Sequence, residues 1–261
     1  VSTAPRTDRP SQALDRAIAP FVDELITPAL VIDLDAVTHN LAATIERLAA
    51  HGGVERWRPH LKTCKQAVIV AAMIDAHMRW FKVATCDELE LLLRTAQTRP
   101  PREVDVLFAY PPQRSVLAAV LALAGAHPHA RIQVLADSPA HLEALARWVE
   151  ELAPDRAAPL EVMLDVDLGM HRTGSPPGAW RELEALPSRV RLAGLHGYDG
   201  HLSWAARDEA LLGYDALCEL AGAVAERLGV APSELELVTS GTHSYAHALA
   251  HAGLGEGPWM H

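Results

Sequence analysis

The chain has 261 residues, enough for one large α/β domain or two small ones. Its formal net charge of −10 and its lack of any basic run argue against a nucleic-acid partner, because such binding is dominated by phosphate neutralisation. No apolar run of about 18 residues is free of charge, so neither a transmembrane helix nor a membrane partner is expected.

Residues 1–26 are charged and lack the apolar middle of a secretory signal, so they read as a leader. The chain begins without Met, which suggests a trimmed start. Strands are expected at 29–34, 58–62, 81–85, 104–108, 132–136, 161–166, 192–197 and 235–239. Helical segments are expected between them, at 35–50, 65–78, 86–96 and 138–152. Leu89, Leu92, Leu93 and Ala96 recur at helical spacing. Ser138 before Pro139 reads as an N-cap with Pro in the first turn.

Strands alternating with helices predict βαβ units and a parallel sheet. Seven βα units follow Asp35. A doubly wound sheet would more typically have roughly five or six strands and a G-x-G-x-x-G loop, and no such loop is present. The expectation is a TIM-type (β/α)8 barrel over residues 27–261, truncated near the eighth strand. A fragment, a split protein or a processed form would account for that stop.

Only three of the 23 basic residues are lysines: Lys62, Lys65 and Lys82. A retained lysine in an arginine-rich chain is either chance or a required primary amine, since a guanidinium does not form imines. The three cysteines, Cys64, Cys86 and Cys218, have no framework spacing and suggest reduced thiols in a cytoplasmic protein.

Functional groups of a barrel sit at the carboxy ends of its strands. Alternation over 58–62 places Arg58, His60 and Lys62 on one face. That is either a solvated strand end or an amine in the barrel mouth with positive charge close by. The run from Leu164 to Gly174 holds Asp165 and Arg172, which either form a structural ion pair or offer a guanidinium fork to an anionic oxygen. His196, Tyr198, Asp199 and His201 fit a flat ligand, a proton relay or, weakly, a metal. Ser240, Gly241 and Thr242 precede a helix and read as a phosphate cradle aided by the helix dipole. His243, His247 and His251 recur at helical spacing, as a metal site or as a solvated face. An amine, a phosphate cradle, an Arg and a Tyr together imply a phosphorylated aldehyde cofactor. A Schiff-base aldolase without cofactor would use the same amine and cradle.

The segment RPHLKTCK resembles the lysine motif of the D-threonine aldolase and D-serine dehydratase family, usually R-P-H-x-K-T-H-K. TPALVIDLD resembles that family's entry strand, and LDVDLGMHRTG resembles a V-D-x-G-x-x-R-x-G segment shared with alanine racemases. GYDGH and TSGTHSY resemble later strand-end segments, so the likeness runs from Thr27 to the end. It implies a fold-type III enzyme of pyridoxal 5′-phosphate (PLP) with an alanine-racemase-like barrel. Lys62 would carry PLP as a Schiff base, and Arg172 would face its phenolic oxygen. Tyr198 would lie near the ring, and Ser240, Gly241 and Thr242 would hold the phosphate. Cys64 departs from the motif's usual His. The family's C-terminal β domain, which supplies the ligands of a divalent metal, has no counterpart here, and no metal ligand is assigned.

The resemblance implies a lyase acting on a small D-3-hydroxy amino acid, with retro-aldol cleavage to glycine and an aldehyde as the leading reaction. D-serine dehydratase-like ammonia elimination is the alternative. A non-catalytic PLP-binding or homeostasis protein, or an amino-acid racemase, are further readings. The family also implies a homodimer.

Overall fold

A computed structural model describes residues 15–100 and 103–255. Residues 1–44 and 45–261 form separate compact units. In the first, the expected strand at 29–34 does not form. Instead Asp33 Oδ1 accepts the N–H of Ala36 at 2.9 Å, and helix α1 (Leu34–Ala49) begins. An Asx cap satisfies the orphan amides of a first helical turn, and here it wins over the β-rich run before it.

The second unit alternates strand and helix. Its elements are α2 (Ala67–Asp75), β1 (Trp80–Val83), α3 (Cys86–Gln97), β2 (Val104–Phe108), α4 (Arg114–Ala126) and β3 (Ala130–Ala136). They continue with α5 (Pro139–Leu152), β4 (Leu160–Val166), α6 (Pro177–Arg181), β5 (Val190–Gly197), α7 (Arg207–Leu228), β6 (Glu236–Thr239), α8 (Tyr245–Leu249) and α9 (Ala252–Gly255). The six strands are parallel and lie in chain order from β1 to β6. Eight barrel strands were expected; among the described residues six form.

The segment at 58–62 is the second expected strand that does not form. Its pairing reduces to one bridge between His60 and Lys82, with the Lys82 N–H donating to Pro59 O at 2.8 Å. Pro59 brings no N–H to a ladder, and the chain turns at once into a 3-10 helix, Leu61–Thr63.

Helix starts follow their capping chemistry. Thr85 accepts the N–H of Glu88, and the Glu88 carboxylate accepts the N–H of Ala84 at 2.8 Å, a reciprocal cap that opens α3. Leu89, Leu92, Leu93 and Ala96 are all buried, as their spacing predicts. Ser138 caps α5 by accepting the N–H of His141, with Pro139 in the first turn. Gly229, at φ 67°, ends the long helix α7.

Leu107, Leu135, Met163, Ala193 and Val238 gather in one buried cluster. The sheet therefore curls far enough to bring β2 and β6 around a shared interior. Gly194 lets β5 approach β6, because a Cβ there would overlap the Glu236 carbonyl oxygen. At the amino ends of the strands the interior is ionic. Arg58 reaches Asp105 at 2.8 Å and Glu236 at 2.9 Å, and Arg131 bonds Asp105 at 2.6 Å and Glu161 at 2.6 Å. Arg131 also pairs with Glu236, and Arg191 with Glu161. Three guanidinium forks thus face three carboxylates, the geometry that bidentate pairing favours.

This corrects the expected role of Arg58. Alternation places Arg58 and Lys62 on one face, yet the chain leaves extended geometry at Leu61, and the Arg58 guanidinium is held by Asp105 and Glu236. Arg58 therefore serves the floor of the sheet rather than the neighbourhood of the Lys62 amine.

Candidate active site

The carboxy ends of the strands collect most of the expected groups. Lys62 stands in the 3-10 turn whose neighbour Leu61 is fully buried, so the turn is anchored while the lysine side chain is exposed. His60 caps the turn: its Nδ1 accepts the N–H of Lys62 at 3.2 Å. That bond needs a neutral ring. Burial, with Lys82, Lys62, His196 and Lys65 adding positive charge, pushes the His60 pKa down to about 3.

The Lys62 Nζ lies 5.4 Å from the centroid of the Tyr198 ring. Tyr198 follows β5, and its ring lies across Gly200, where a Cβ would overlap it. The same ring borders Gly241, whose added Cβ would fall 3.2 Å from Tyr198 Cε2. Lys62, Tyr198 and Gly241, nominated from three separate stretches of sequence, thus form one contiguous surface.

The loop after β6 is tightly built. Ser240 is buried and takes φ 70°, a left-handed conformation that a non-glycine residue adopts at a cost. The Gly241 N–H donates to Ser244 Oγ at 2.9 Å, and the Gly241 carbonyl accepts the N–H of Tyr245 at 3.0 Å. The N–H groups of Ser240, Thr242 and His243 have no acceptor among the described residues. Helix α8 has five residues, so the expected aid of a helix dipole is slight. Any anion here is served by loop amides.

Arg172 makes no contact with Lys62, Tyr198 or the β6 loop among the described residues. It is exposed in the loop after β4, and no hydrogen bond or ion pair reaches it among the described residues. The loop is folded around Asp167, which accepts the N–H groups of Gly169 and His171 at 2.9 Å each. Gly174, at φ 89°, leaves its base room, since a Cβ would come 2.8 Å from the Asp165 carbonyl oxygen. The loop meets the β5 end through Gly169, whose added Cβ would lie 3.5 Å from His201 Nε2.

The Asp165–Arg172 ion pair does not form. Asp165, 1% exposed, instead accepts a bond from His196 Nδ1 at 2.7 Å, and its Oδ2 is buried without a hydrogen-bond partner among the described residues. His196, Asp199 and His201 do not converge as ligands: among the described residues no group of three His, Cys, Asp or Glu gathers. The three later histidines diverge. His243 stacks on Trp204, His247 contacts the Trp204 carbonyl at 3.3 Å, and His251 bonds Asp215 at 3.0 Å.

Sequence reasoning passed over three features. Lys82 is buried on β1, in register with Leu107 of the interior cluster. Burial, with Arg58 and Lys62 adding positive charge against Asp199 and Asp165, pushes its pKa down to about 8. Its signal was a lone cation in the apolar run WFKV. Lys65, by contrast, is spent on Glu88 at 3.1 Å. The second feature is the buried Asp165–His196 pair, the third a network around Asp199, both hidden because their members are distant in sequence.

Comparison with known proteins bears on the family and the fold. The family model for the alanine racemase N-terminal domain matches residues 32–251. D-threo-3-hydroxyaspartate dehydratase from Delftia sp. (strain HT23) is 32% identical over 152 residues, an alignment spanning 58% of this chain and 36% of the dehydratase. D-threonine aldolase from Filomicrobium marinum superposes with a TM-score of 0.63 at 20% identity, over 90% of this chain and 61% of that one. A D-threo-3-hydroxyaspartate dehydratase variant in its metal-free form superposes with a TM-score of 0.61 at 23% identity, over 84% of this chain and 61% of that one. At these identities the structural likenesses establish the fold alone. The chain belongs to the alanine racemase N-terminal domain family.

Proposed function

We propose that this chain binds PLP through Lys62 and serves a lyase acting on D-3-hydroxy amino acids. The observation that carries the reading is the Lys62 amine held 5.4 Å from the Tyr198 ring centroid, with Gly241 bordering the same ring. PLP fits the residues present: an exposed primary amine, a flat aromatic surface, and a loop with three amides unengaged among the described residues, within one continuous surface. Lys62 would take the aldehyde, Tyr198 would support the ring, and Ser240, Gly241 and Thr242 would hold the phosphate, with Arg172 toward the phenolic oxygen.

When bound, PLP supplies an electron sink for charge developing at the substrate Cα. The chain's own residues orient and hold protons. His60 stays neutral and fixes the turn that carries Lys62. The Asp165 carboxylate fixes the His196 ring, so that only its Nε2 remains open to a ligand.

Retro-aldol cleavage to glycine and an aldehyde is the reaction we assign. Elimination of water and then ammonia to a keto acid is the second reading, supported by the sequence likeness to a dehydratase. The proposal keeps residues 27–261 as the cofactor domain after a leader at 1–26, in a homodimer whose divalent metal is held by residues outside those described. The test is to supply PLP, Mn2+ and either D-threonine, D-serine or D-threo-3-hydroxyaspartate, then assay products. Glycine with aldehyde supports the aldolase, keto acid with ammonia the dehydratase. Stable PLP binding with no product points to a carrier, and loss of optical activity alone to a racemase.

A further inference from the structure

A second layer of residues sits behind the β6 loop. Tyr214 of α7 donates its hydroxyl to Asp199 Oδ2 at 2.7 Å. Ser244 Oγ donates to Asp199 Oδ1 at 2.7 Å and accepts the Gly241 N–H at 2.9 Å. All three side chains are almost wholly buried: Tyr214 0%, Asp199 2% and Ser244 1% exposed.

We infer that Asp199, Ser244 and Tyr214 are positioning residues that set the phosphate selectivity of the loop at 240–243. The inference rests on the PLP reading above and names the donors of its phosphate subsite. A buried carboxylate must be satisfied, and here both oxygens are taken by hydroxyl donors. Its orientation is thereby fixed, and with it the Ser244 hydroxyl. That hydroxyl claims the Gly241 N–H, so the loop amides left for an anion are those of Ser240, Thr242 and His243. Gly241 therefore acts through its place in the loop rather than as a donor. The same bond holds Gly241 next to a residue at φ 70°, where an untethered loop would relax toward ordinary backbone. None of the three needs to touch the ligand; Asp199, a carboxylate, would repel a phosphate if it turned outward.

The test compares PLP with pyridoxal, which has the aldehyde but no phosphate, by absorbance titration of the purified protein. Wild type is expected to prefer PLP strongly. Ser244→Ala should lower that preference by about tenfold or more, the effect of losing a bond to a charged group, with pyridoxal affinity within about twofold of wild type. Tyr214→Phe should lower it by about threefold. If Ser244→Ala does not fold by circular dichroism, Tyr214→Phe decides. An unchanged preference in the folded variants, or equal weakening toward both ligands, overturns the inference by making the network merely structural. A wild type that does not prefer PLP overturns the phosphate reading of the loop itself, a different failure.

Discussion

The Nζ of Lys62 and the ring of Tyr198, 136 positions apart in the chain, stand 5.4 Å from amine to ring centroid. An ammonium over an aromatic face is attractive, but an exposed pair of this kind is worth only about 0.5–1 kcal/mol. Tyr198 is therefore expected to guide a bound ring rather than to hold the fold. Tyr198→Ala should leave thermal stability nearly unchanged and weaken both PLP and pyridoxal binding, by absorbance titration. Loss of PLP affinity with pyridoxal binding intact would contradict this placement.

Lys82 should make stability depend on alkaline pH. Its folded pKa of about 8 lies below the ordinary 10.5, so between those values the unfolded chain binds more protons. The charged amine opposes folding fully below about pH 8, and that opposition fades as pH rises toward 10.5. Lys82→Met should therefore stabilise the PLP-free protein at pH 7 by about 3 kcal/mol at most, less what Asp165 and Asp199 lose. The gain should shrink toward pH 10. Urea unfolding at both pH values checks this; a gain that grows with pH would refute the burial of this charge.

His60 acts at the other end of the scale. Its folded pKa of about 3 lies below the ordinary 6.5, so its neutral ring is stabilising only while the unfolded ring is also neutral. That contribution is lost as pH falls from about 6.5 toward 3. His60→Gln, which keeps an acceptor for the Lys62 N–H, should flatten the melting temperature against pH over that window. An unchanged slope would mean that the ring already titrates freely.

The floor of the sheet should be separable from the mouth. Arg58→Met leaves Asp105 and Glu236 short of one fork while Arg131 still reaches both. Breaking such a buried network should cost roughly 2–4 kcal/mol in urea unfolding. Pyridoxal should still attach to Lys62 in the folded variant. Failure to attach would mean that Arg58 belongs to the site after all.

The six strands that form were legible because each is an apolar run between helical segments, and burial on both faces leaves that mark. The two that do not form show where such reading ends. Residues 29–34 have strand composition, but Asp33 offers the following amides a local cap. Residues 58–62 alternate correctly, yet Pro59 removes a donor and Leu61 enters a tight turn. Lys62, Tyr198 and Gly241 were legible as unusual residues at strand ends. The Asp165–His196 pair and the Asp199–Ser244–Tyr214 network were not, because pairing across 15 to 45 positions is decided by sheet register and loop closure. Local pattern carries no trace of either.

The most direct measurement is borohydride reduction of the protein loaded with PLP, followed by mapping of the modified peptide. The account predicts the pyridoxyl group on Lys62 alone, and no trapped cofactor in Lys62→Ala. Modification of Lys82 or Lys65 in the wild type, or undiminished trapping in Lys62→Ala, would contradict it.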